Sequence, residues 1–103
     1  MDCIDQAYRY RFEAGIDLHA AEETLLLSIL ATEGLYGQAR VKMDLAYSVD
    51  TAIRAIIVGA GTDVGQALNA IFTAFILRKF GSSRVHVRRV QGLFARGGQE
   101  GGQ

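Results

Sequence analysis

Four groups of residues have the types and spacing to do chemistry. Gly59, Gly61 and Gly65 form G-A-G-T-D-V-G, a glycine-rich turn of the kind that lets backbone amides approach a phosphate. The spacing is not that of a dinucleotide fingerprint, no lysine follows as in a P-loop, and the flanking chain is too short for a doubly wound nucleotide domain. An anion bound there would meet amides near Thr62, Asp63 and Val64, and the Asp63 carboxylate would repel it. The simpler reading is a strand-to-helix turn that needs small residues.

Asp17, His19, Glu22 and Glu23 make the second group, with i, i+3 and i, i+4 spacings that can share a metal ion. Asp17 also suits a helix N-cap, and carboxylates are favoured near a helix start by the backbone dipole. The only other histidine, His86, is remote in sequence. No metal ligand set and no cofactor motif is therefore assigned. The third group is nucleophilic: Ser28, Ser48, Ser82, Ser83 and Cys3, of which only Ser82 and Ser83 lie near a histidine. One cysteine excludes an internal disulfide and a cysteine-cluster metal site, and fits a reducing compartment.

The fourth group is basic. Residues 1–50 hold nine acids against four bases, and residues 51–103 hold seven bases against two acids, so a chain of zero net charge is unevenly laid out. The neutral total offers no argument for nucleic acid or an anionic membrane. A subset, Arg9, Arg11, Arg40, Lys42, Arg54, His86 and Arg88, falls at strand positions that would share one open sheet face. Such a face can contact phosphates, although RNA-binding sheets add exposed aromatics for stacking, and the aromatics here fall on the opposite side.

The elements that must position these residues follow from periodicity. Tyr8, Tyr10 and Phe12 alternate with Arg9, Arg11 and Glu13, which predicts a strand with one buried face. Asp17 then caps a helix with an inner stripe of Leu18, Ala21, Leu25, Ile29, Thr32 and Tyr36, ending near Gly34 or Gly37. Gln38 to Asp50 alternates again, with Ala39, Val41, Met43, Leu45, Tyr47 and Val49 on one side, and predicts a strand that buries Met43 and exposes Lys42. Asp50 and Thr51 turn the chain into a third strand, Ala52 to Val58. Thr62 or Asp63 starts a second helix with an inner stripe of Val64, Ala67, Leu68, Ile71 and Phe75, closed at Gly81. A fourth strand spans Arg84 to Val90.

Strand, helix, strand, strand, helix, strand is the order of an α+β, ferredoxin-like βαββαβ domain, a four-stranded antiparallel sheet with two helices on one face. Residues 1–92 form that single domain, and residues 93–103 read as a flexible glycine-rich tail. No secretory signal is expected, because Asp2 and Asp5 occupy the start. The longest uncharged stretch, Val64 to Leu77, is too short and too polar to span a membrane, so a cytoplasmic location is expected.

The helices carry more apolar surface than one core needs. Leu26, Leu27 and Leu30 on the first, and Phe72, Ile76, Leu77 and Phe80 on the second, lie off the inner stripes. Exposed apolar patches usually mark contacts, which points to a homodimer or larger assembly. The expected role is a non-catalytic binding or interaction module. The alternatives are a nucleic-acid-binding module using the basic face and a small enzyme with a site between subunits.

Overall fold

The computed structural model describes residues 2–95, with side chains placed over residues 6–91. Its elements are β1 (Asp2–Phe12), α1 (Leu18–Tyr36), α2 (Gln38–Asp44), β2 (Tyr47–Asp50), β3 (Ala55–Gly59), α3 (Asp63–Phe80) and β4 (Val85–Ala95). The fold is α+β: the four strands form one antiparallel sheet in the order β2-β3-β1-β4, accompanied by three helices. β4 runs further than the Val90 expected from sequence, and the proposed tail lies, from residue 96 on, outside the described residues.

β1 is central and sets the layers. Tyr10 and Phe12 are buried on one face with Ile56 and Val58 of β3, Leu25 of α1, and Leu68, Phe72 and Ile76 of α3. α1 and α3 thus cover a single face of the sheet. Each begins on a side-chain cap: Asp17 accepts from the His19 amide at 3.0 Å, and Thr62 accepts from the Gly65 amide at 3.0 Å. Each ends at a glycine of positive φ, Gly37 at 89° and Gly81 at 90°, whose amide bonds back to the last turn.

The predicted strand over Gln38 to Asp50 is the main correction. Its first half is α2, and only Tyr47–Asp50 is strand. Alternation over seven residues also fits a short helix that buries one side chain, here Val41. Composition decides: Gln-Ala-Arg-Val-Lys-Met-Asp holds one β-branched residue among good helix formers, and Arg40 approaches Asp44 four residues on, at 3.4 Å. Met43 consequently faces outward at 71% exposure while Val41 is 1% exposed. The third strand starts later than expected, because Thr51 to Arg54 form the turn, with the Asp50 carboxylate accepting from the Ala52 amide at 3.1 Å.

The inner stripe of α3 is also rotated from the expected one. Val64, Leu68, Phe72 and Ile76 are buried, while Phe75 is exposed. Tyr10 selects this rotation by meeting Phe72 edge-to-face at 4.8 Å between ring centroids and by reaching the polar side of the same helix. Its hydroxyl donates to Asn69 Oδ1 at 2.6 Å and shares a hydrogen bond with Thr73 Oγ1 at 3.0 Å. Asn69 in turn donates through Nδ2 to the carbonyls of Gly59, at 3.1 Å, and Gly65, at 2.8 Å. A Cβ at Gly65 would run into the Gly59 carbonyl, so glycine there lets α3 settle onto the end of β3.

Two outcomes are expected. Val41→Asp should abolish cooperative folding, because an unpaired carboxylate in the core costs several kcal/mol, whereas Met43→Asp should melt close to the parent protein. Burial pushes the Tyr10 hydroxyl pKa up to about 12 from the ordinary tyrosine value of 10.0, against a lowering by its Thr73 hydrogen bond. A raised folded value stabilises fully below the unfolded value and is lost as pH rises through the folded one. Urea unfolding between about pH 9 and pH 11.5 should therefore show the parent losing roughly 2 kcal/mol more than Tyr10→Phe, which starts about 1 kcal/mol weaker at neutral pH.

Candidate functional site

Once Tyr10 and Phe12 face the helices, Arg9 and Arg11 must face the other side of the sheet. The pairing of β1 with β4 sets Arg88 directly opposite Arg9 and His86 directly opposite Arg11. Residues directly opposite in an antiparallel pair share a face, so four basic side chains form a two-by-two block. On the inner side of that block β3 contributes Ile57 opposite Arg9 and Ala55 opposite Arg11, with no counter-charge. Arg9, Arg11, His86 and Arg88 line an open depression of about 460 Å³, floored by the Val85 to Arg88 segment of β4.

Among the described side chains, one acid answers the block. Glu13, just past the end of β1, meets His86 Nε2 at 2.8 Å. That hydrogen bond, outweighing desolvation and helped by the charges of His86, Arg84 and Arg11, holds the Glu13 carboxyl below its ordinary value. Glu13 is therefore an anion at neutral pH and the imidazole donates to it. The stabilisation from this bond is present above the unfolded carboxyl value and fades as pH falls through the lowered folded one. Among the described residues, Arg9, Arg11 and Arg88 form no ion pair.

The other expected members of the basic face lie elsewhere. Arg40 and Lys42 ride on α2, where Arg40 sits 3.4 Å from Asp44, 3.8 Å from Asp63 and over the Tyr36 ring. Arg54 turns inward: its guanidinium donates to the carbonyls of Phe12, at 3.3 Å, Glu13, at 3.2 Å, and Ile16. It holds the β1–α1 loop against the β2–β3 turn, at a positive φ of 55° unusual for a residue other than glycine. Nothing in its sequence neighbourhood announces that role, since the partners are backbone carbonyls far away in the chain.

The apolar candidates divide similarly. Leu26, Leu27, Leu30 and Leu77 are exposed. Phe72 and Ile76 are fully buried in the core, and Phe80 is half-buried against it with its ring 6.1 Å from that of Phe12. These three are packing residues, misplaced by the rotation of α3.

The structure accounts for some of the remaining chemical candidates, while Ser48, Ser82 and Ser83 are simply exposed. At the glycine-rich turn the amides of Gly59, Ala60, Gly65 and Gln66 are bonded, to Ala46 O, Gln6 O, Thr62 Oγ1 and Thr62 O, whereas those of Thr62, Asp63 and Val64, which an anion would meet, lie at the start of α3 beside the exposed Asp63 carboxylate. The exposed His19 ring meets the Glu23 carboxylate at 3.4 Å, and among the described residues no group of three His, Cys, Asp or Glu side chains converges for a metal. Ser28 is buried and donates to the Thr24 carbonyl at 2.8 Å, one rung of a Thr24, Ser28, Thr32 ladder on α1. The Cys3 side chain lies outside the described ones. No described helix is long and apolar enough to cross a membrane. Comparison of the chain with protein-family models, curated proteins and solved structures finds no match.

Arg54→Ala should lower stability by about 1.5–3 kcal/mol, the range for charge-assisted hydrogen bonds, in urea unfolding at neutral pH. Arg88→Ala, on the open face, should change it by less than about 0.5 kcal/mol.

Proposed function

We propose that the chain is a ferredoxin-like, non-catalytic binding module that works as a homodimer. The sheet order β2-β3-β1-β4, with every neighbouring pair antiparallel and α1 and α3 on one face, supports the split βαβ arrangement, with α2 as an addition ahead of β2.

The observation that carries self-association is the outward side of α1. Leu26, Leu27 and Leu30 stand 54%, 60% and 61% exposed on a helix whose opposite side, Ala21, Leu25, Ser28 and Thr32, is buried. From Leu25 to Leu30 the helix is thus apolar around most of its circumference, the pattern of a helix covered on both sides. α3 beside it adds Ala70, Ala74 and Leu77, also exposed. A second copy presents the same surface, and a two-fold contact between helical layers is the commonest way for such a face to be closed. Fully burying a leucine is worth roughly 1.5–3 kcal/mol.

Sedimentation should give a species of twice the 11.2 kDa chain mass at micromolar concentration. Leu27→Glu and Leu30→Glu should each shift it to monomer with the melting transition retained. A parent protein that sediments as a monomer would overturn the reading. Ile76, fully buried, is no test of the interface, because a charge there destroys the fold instead.

A further inference from the structure

The basic block on the open sheet face goes beyond self-association, and it is a built arrangement rather than a scatter of surface charge. Arg9 faces Arg88, and Arg11 faces His86, across one pair of strands. Cross-strand neighbours lie about 5 Å apart and alternate residues along a strand about 7 Å apart, so the four side chains occupy a patch one or two phosphates wide. Like charges placed directly opposite destabilise a sheet, and Glu13 relieves the His86–Arg11 rung, in direct contact with His86 alone, and not the Arg9–Arg88 rung. Three guanidinium groups without ion pairs among the described residues surround the depression, each with a planar fork suited to phosphate oxygens.

We propose that this depression binds a compact, multiply charged phosphate anion, a di- or triphosphate group, through Arg9, Arg11 and Arg88, with His86 positioned beside it by Glu13. The distribution of charge argues against a nucleic-acid strand. Arg40, Lys42 and Arg54, which would have lengthened the patch into a track, lie off this face. Across the sheet from Arg11, on the same row through Ala55, comes Asp50, whose carboxylate repels a polyanion running that way. Among the described side chains, those that share the face, Ala7, Ala55, Ile57 and Ser48 among them, include no aromatic for base stacking. Proximity of the bound anion to a second copy is not required, since the helical layer lies on the opposite side of the sheet.

Titration calorimetry of the full chain with inorganic tripolyphosphate tests this. The parent should bind, with affinity falling as salt rises, and tripolyphosphate should raise its melting temperature. Arg9→Gln and Arg88→Gln should each weaken binding about tenfold or more while folding normally, since relief of like-charge repulsion offsets the lost side chain. Arg78→Gln, in the last turn of α3, should bind as the parent does. The dimer-breaking Leu27→Glu should also bind normally, which separates failure of this site from failure of the assembly. Equal affinity for orthophosphate, unchanged binding in the Arg9→Gln/Arg88→Gln double variant, or displacement of tripolyphosphate by a thymidine oligonucleotide of higher affinity would each overturn the assignment.

Discussion

One buried hydroxyl organises this molecule. The Tyr10 side chain points from the central strand into an apolar layer, where an unpaired hydroxyl would be costly, and Asn69 on α3 is the group that satisfies it. Asn69 then spends both amide protons on the carbonyls of Gly59 and Gly65, so one residue ties the helix to β1, to the end of β3 and to its own first turn. Gly65 completes the arrangement by leaving room for that close approach. The rotation of α3, and with it the identity of the core, follows from satisfying three polar groups at once.

The open face is the other side of the same constraint. Strand side chains alternate, so burying Tyr10 and Phe12 leaves Arg9 and Arg11 no choice of face. β4 then pairs in a register that sets Val85 opposite Phe12 and Val87 opposite Tyr10 on the helix side, which forces His86 and Arg88 outward. A slip of one residue would exchange these sets and bury charge. The cationic block is thus held in place by hydrophobic burial on the far side of the sheet, and its local repulsion is tolerated because the register is fixed elsewhere.

Much of this was legible in the sequence wherever one signal stood alone. The alternation around Tyr10, the Asp17 cap and the closing glycine Gly81 each identify an element or its limit without competition, whereas Thr62 competes with Asp63 for the start of α3 and Gly37 with Gly34 for the end of α1. Reading fails where two patterns coincide. Gln38 to Asp44 alternates like a strand while its residue types favour helix, and over seven residues the composition prevails. In α3, Ile71, Phe72, Phe75, Ile76, Leu77 and Phe80 surround the axis, so periodicity alone cannot pick the inner stripe that Tyr10 selects. The candidate site shows the same division: Arg9 and Arg11 are placed by their own strand, whereas the adjacency of Arg88 and His86 depends on a register between distant segments. Arg54 is the extreme case, since its partners are carbonyls that carry no side-chain signature.

The strand order also carries a consequence for how the chain reaches this structure. β1, the first element, finds both of its neighbours, β3 and β4, only in the second half of the sequence. Loop closure must therefore be met before the central pairings return anything, which is expected to make folding slower than that of helical bundles with local contacts. During synthesis the aromatic side of β1 emerges long before its sheet partners, and α1, the next element, is the only large apolar surface at hand to shelter it. Ile16, Ala21 and Leu25, which share the buried cluster with Tyr10 and Phe12, are the core residues that the first half of the chain supplies to β1 before those partners are made.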